Sequence, residues 1–155
     1  MNTLTLRSTG QWIEHFETNR DRGPGLPWET GLNLSAEERT RVVASIQQFQ
    51  LGESGEGRHI KMCARVHSER VNDPNYPEAV RLFIAEEQRH SRTLGQYLDA
   101  AGELRMVESK VDGIFRWLRH LMGLELSLIV LSTAEVIATV YYRALRDATG
   151  CELRR

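Results

Sequence analysis

The sequence predicts an all-α chain built as a bundle of long helices, and three observations predict it. Apolar residues recur at alternating steps of three and four along most of residues 36–149. No segment has the strict apolar–polar alternation of a half-buried strand. The breaks carry helix-stopping and helix-starting residues rather than hairpin turns. A chain of 155 residues is also long enough for one real core.

Residues 1–34 read as an N-terminal arm. Trp12, Ile13 and Phe16 mark a helical turn or two before Gly23-Pro24-Gly25-Leu26-Pro27-Trp28 breaks any regular element. Ser35-Ala36-Glu37-Glu38 is a capping box, and it opens a first long helix expected to run to about Val71. The inward stripe of that helix is Val42, Ile46, Phe49, Glu53, Glu56, Ile60, Cys63 and His67. Gly52, Gly55 and Gly57 interrupt it. They either let a neighbouring backbone come close or mark a bulge or break, and the alternative is two helices with a turn at 52–57. Asn72-Asp73-Pro74-Asn75 ends this element, Tyr76-Pro77 opens the second helix, and Ala101-Gly102 stops it. Residues 111–149 read as a third long helix, in one piece or joined near Gly123, with Gly150 as its C-cap. The bundle thus covers residues 35–155, and its short gaps favour antiparallel neighbours.

Composition excludes several classes of partner. The 20 Lys and Arg offset 21 Asp and Glu for a net charge of −1, and no basic run tracks a phosphate backbone, so no nucleic acid is expected. Cys63 and Cys151 are too few for a disulfide framework, and Met1-Asn2-Thr3-Leu4 lacks a signal-peptide pattern, so the expected location is cytoplasmic. The most apolar run, Leu121 to Tyr142, has the length of a membrane span but contains Glu125 and Glu135. Two acids are expensive in lipid, so this run is expected to be a helix buried among other helices, with no membrane partner.

The chemistry centres on Glu86-Glu87-Gln88-Arg89-His90 in the second helix. Glu87 and His90, at i and i+3, share a helix face and can reach one metal ion. They interrupt an apolar stripe of Val80, Phe83, Ile84, Leu94, Tyr97 and Leu98, where an unpartnered carboxylate is costly. Glu53 and Glu56 fall on the stripe of the first helix, and Glu135 lies between Leu131 and Ala138. Three helices therefore each place a carboxylate where a core residue belongs. Hard oxygen ligands with an imidazole suit iron or manganese better than zinc. The expected metal ligands are Glu53, Glu56, Glu87, His90 and Glu135.

Phe49-Gln50-Leu51-Gly52-Glu53, the run from Phe83 to His90, and Glu135 together resemble the ferritin-like di-iron carboxylate superfamily, in the style of rubrerythrin and bacterioferritin. The likeness covers roughly residues 35–149, and the interval from Glu53 to Glu87 is similar to that family's spacing. It implies an antiparallel bundle with a Glu on helices one and three and Glu-x-x-His on helices two and four. It also implies two iron ions, with manganese as the alternative, and iron oxidation or peroxide and oxygen chemistry of a ferroxidase or peroxidase type. Here three long helices are present, and the fourth is missing or supplied by a partner chain. A second Glu-x-x-His at the same interval after Glu135 would lie beyond Arg155. The chain is then cut from a longer protein, naturally shortened, or completed by a homodimer through the exposed apolar bundle face.

Other polar residues receive plainer readings. Glu56-Gly57-Arg58-His59 is a second Glu-x-x-His, but His59 points off the stripe, and Glu53 is favoured over Glu56 on spacing. His67 reads as a hydrogen-bonded core histidine, His120 as a helix-end residue, and Glu125 as a partner of Arg89 or Arg119. Tyr141 and Tyr142 read as core aromatics able to hydrogen-bond to a ligand. The rival function is a non-catalytic helical interaction module, its acids neutralised by Arg58, Arg89 or Arg143 or held protonated.

Overall fold

The computed structural model describes residues 7–21, 28, 34–55, 57–109, 113 and 123–148. They form α1 (Thr9–Asn19), α2 (Ala36–Gly52), α3 (Arg58–Val71), α4 (Tyr76–Ala100) and α5 (Leu124–Ala148), with no strand among the described residues. The all-α expectation is met. Apart from Gly113, the segment expected to be helical over 111–122 lies outside the described residues, as do the cap at Gly150 and Glu56, Arg119 and His120.

Helix ends follow local chemistry. The Glu38 backbone N–H donates to Ser35 Oγ (3.2 Å) while the Ser35 N–H donates to Glu38 Oε2 (2.8 Å), so the expected capping box forms. Ser8 and Gln11 build the same device at the start of α1. Left-handed Asn72 (φ 54°) closes α3, and left-handed Gly102 (φ 70°) follows α4 close to the predicted stop.

The first long helix is not continuous, which corrects the sequence reading. α2 ends at Gly52 and α3 starts at Arg58, after Gly57 in the left-handed region (φ 62°). A Cβ on Gly57 would collide with the end of the Ile84 side chain, so Ile84 of α4 fills the space that a side chain at 57 would need. The periodicity carried no sign of the interruption, because α3 resumes with its own inward face of Ile60 and Ala64.

α4 is the central element, packed by α1, α2 and α3, while α5 lies against α3. One apolar cluster joins Val42, Val43 and Ile46 of α2 to Leu98 of α4. A second joins Ile60 and Ala64 of α3 to Val80 and Ile84 of α4, with Leu124, Leu128 and Leu131 of α5 against it. The arm also docks: Phe16 of α1 meets Phe83 (centroids 6.2 Å apart), and Thr9 Oγ1 donates to Asp73 Oδ2 (2.6 Å).

α5 departs from expectation too. It is not buried among helices: Ser127 and Ala138 are its buried described residues, while Leu126, Ile129, Val136, Ile137 and Val140 are 49–66% exposed. The stretch Leu124–Ala144, of mean hydropathy 1.6, is long and apolar enough to cross a membrane. Its inward face holds Glu135, and its outward face is open.

Candidate metal centre

Three elements deliver the site. Glu53 is the C-cap residue of α2, its N–H bonded to the Phe49 carbonyl (3.0 Å), so its side chain leaves the helix at the start of the break. His90 sits inside α4, between Ile84 of one apolar cluster and Leu98 of the other. Glu135 lies inside α5, on the face that also buries Ser127 and Ala138. One potential ligand atom from each of Glu53, His90 and Glu135 lies within 4.8 Å of the other two. Ligands bound at about 2.1 Å to one cation are separated by at most about 4.2 Å, so the group would need to contract only slightly.

Glu87 borders this group. It shares a hydrogen bond with Glu135 and feels the charges of Glu135, Glu53 and Glu86. Burial, then those like charges, push its carboxyl far above the ordinary range. Burial also lifts Glu53 from 4.5 to about 7, a hydrogen bond from Tyr142 pulls it down, and Glu135 adds to the rise. A cation among these carboxyls would offset the burial and like-charge repulsion that raise Glu53 and Glu87.

The donor set fits a cation on a second count. Tyr142 Oη donates to Glu53 Oε1 (3.2 Å), yet Glu53 Oε2 is buried with no hydrogen-bond partner among the described residues. An orphaned oxygen on a carboxyl grouped with a histidine and a second carboxyl is what a hard cation would satisfy. Glu53, Glu135 and His90 would hold the first ion, and Glu87 stands where it could share it or a second one.

A supporting layer surrounds the ligands. Gln50, one turn before Glu53, donates from Nε2 to Ser91 Oγ (3.2 Å), and Ser91 Oγ donates to the Gln50 carbonyl (2.8 Å), tying α2 to the residue after His90. Phe49 stacks on Tyr141 (4.8 Å) and tilts against Tyr142 (5.6 Å). Tyr141 also hydrogen-bonds to Ser45. Sequence reasoning missed Gln50 and Ser91; the available signal was a polar residue buried on each of two facing helices.

Other expected roles are placed as follows. Arg89 does not pair with Glu125. Its guanidinium donates to Glu86 Oε1 (3.0 Å) and to the carbonyls of Asn19 (2.9 Å) and Arg20 (3.1 Å) at the end of α1. It therefore does not neutralise Glu53 or Glu87 either, whereas Glu125 is exposed. His67 stands beside the Tyr76 ring (4.6 Å) and 3.1 Å from Arg70. His59 lies 3.5 Å from Cys63 Sγ, on α3. Glu56 is outside the described residues. Comparison of the chain with protein-family models, characterised proteins and solved structures finds no match.

Proposed function

We propose that this chain is a metal-binding helical bundle of the ferritin-like kind, with a carboxylate-rich site for iron, or for manganese, at the α2–α4–α5 junction. One observation carries the reading: ligand atoms of Glu53, His90 and Glu135, from the end of α2 and from α4 and α5, lie within 4.8 Å of one another, and Glu53 also has a buried oxygen without a hydrogen-bond partner among the described residues. In the bundle so proposed, α2 and α3 together are a broken first helix, α4 the second and α5 the third.

A bound iron pair would supply one-electron chemistry with oxygen or peroxide, the basis for a ferroxidase or peroxidase role. The chain's own residues have narrower tasks. A ring nitrogen of His90 and carboxylate oxygens of Glu53 and Glu135 would hold the ion. Burial and its acidic neighbours favour a proton on Glu87, which an arriving cation would displace, so loading would release protons. Tyr142 fixes the rotamer of Glu53, and the Gln50–Ser91 pair fixes the spacing of α2 and α4.

The competing reading is a non-catalytic interaction bundle whose carboxyls stay protonated, and the open face of α5 favours it. Metal content separates the two. After reconstitution with iron(II) and gel filtration, at least one iron per chain is expected to remain, and to be lost in His90→Ala with helicity unchanged. A folded chain that retains neither iron nor manganese would overturn the metal reading.

A further inference from the structure

The outward face of α5 has a symmetry in its sequence that the metal site does not use. Its exposed positions are Leu126, Ile129, Thr133, Val136, Ile137 and Val140, opposite the face that carries Glu135. Read backwards, the pattern nearly repeats, the one exception being Val136, whose counterpart Val130 is half-buried. About a centre at Thr133, Leu126 mirrors Val140, Ile129 mirrors Ile137, and Val130 mirrors Val136. Two such helices, laid antiparallel about a twofold axis through Thr133, put apolar against apolar along the whole seam. Ser132, Thr133 and Ala134 at the crossing are small enough to let the backbones approach closely.

The charges agree with that register. Glu125 and Arg143 are both exposed and, at 100° per residue, project from the same flank of α5. In an antiparallel pair residues on the same flank meet, so each Glu125 falls within about one half-turn of the partner's Arg143, and the seam closes with an ion pair at either end. The flank between them is an open groove of about 550 Å³ lined by Glu125, Leu128, Ile129, Ser132, Thr133 and Val136.

We propose that this face docks a second copy of the chain, as an antiparallel α5–α5 pair centred on Thr133. The five large exposed side chains of each copy would remove on the order of 1,000 Å² from water in the pair, about where a specific interface begins. A lipid surface fits less well. α5 packs on α3, and α3 and α4 carry exposed Arg65, Glu69, Arg81 and Arg92, which would be costly in lipid if the helices entered together. The proposal is independent of metal binding.

The test places single cysteines in a Cys63→Ser, Cys151→Ser background, followed by sedimentation, mild oxidation and non-reducing electrophoresis. A dimer at tens of micromolar is expected, with Thr133→Cys cross-linking to itself. Leu126→Cys should cross-link only when mixed with Val140→Cys. Val136→Glu, at a position already exposed, should give a folded monomer by circular dichroism. Glu125→Arg should weaken the dimer about tenfold, and adding Arg143→Glu should restore it. A folded monomer at these concentrations would overturn the proposal, and so would a dimer that ignores Val136→Glu and never cross-links at 133. Flotation of the monomer with phosphatidylcholine vesicles would assign the face to lipid instead.

Discussion

Tyr142 of α5 donates its hydroxyl to Glu53 Oε1 at 3.2 Å, which joins the end of one helix to the interior of another at the edge of the carboxylate cluster. The bond lowers the proton affinity of Glu53, opposing the burial that raises it to about 7. Burial and the neighbouring Glu53 charge in turn hold the Tyr142 hydroxyl well above its usual range, so it remains a donor at any physiological pH. Removing it in Tyr142→Phe should raise the Glu53 carboxyl above about 7 and weaken metal binding about tenfold at neutral pH, the scale of lost outer-shell support. Metal titration at pH 7 and at pH 8.5 checks this. The deficit should shrink at the higher pH, where Glu53 ionises without help.

The pH dependence of the metal-free fold has a definite sign. An acid whose carboxyl titrates higher in the folded chain than in the unfolded one binds more protons when folded. Its contribution is fully present below the unfolded value and is lost as pH rises through the folded value. For Glu53 that window runs from 4.5 to about 7, and Glu87 shifts in the same direction. The metal-free protein should be more stable in urea at pH 5 than at pH 8, by up to about 3 kcal/mol from Glu53 alone. Saturating manganese(II) should remove or invert that order, and chelation should bring it back.

The glycines of the break are predicted to differ. Gly57→Ala forces an L residue into a left-handed conformation and a methyl into Ile84, so a loss of about 2–4 kcal/mol is expected. Gly52→Ala meets nothing within 4 Å and sits at a helical position. It should be neutral or stabilising by up to about 1 kcal/mol. Equilibrium denaturation of the two variants side by side decides the point.

Arg89 holds α1 in place from within the Glu87–His90 turn. In Arg89→Met the half-buried Asn19 carbonyl and the exposed Arg20 carbonyl lose their shared donor, and Glu86 loses its half-buried ion pair. The expected cost is about 1–3 kcal/mol. Amide exchange should rise across Thr9–Asn19 more than across α2, if α1 is released as a unit.

Much of this was written in local signals, and the failures share a cause. The start of α2 and both ends of α4 follow from caps, Pro and Gly, which act within a turn and can be read one residue at a time. The grouping of Glu53, His90 and Glu135 was legible because each is an acid or imidazole on an apolar stripe. The break at 53–57 was given only as an alternative, because periodicity reports which way residues face and says nothing of continuity. The role of Arg89 was misread because its acceptors are backbone carbonyls of α1, which no side-chain pattern announces. The exposure of α5 was equally hidden, since an apolar helix reads alike whether or not something covers it.

Glu53 differs from the other ligand candidates in what carries it. His90 and Glu135 are anchored in the middle of 25-residue helices, whose geometry resists displacement. Glu53 is the cap just past the end of α2, held there by its N–H bond to the Phe49 carbonyl, so a backbone rotation disturbs fewer bonds than it would inside a helix. The site thus has two stiff walls and one compliant one. Such a socket would adjust to cations of different radius by moving a single side, and its affinities for iron(II), manganese(II) and zinc(II) should lie closer together than a cage rigid on every side would give.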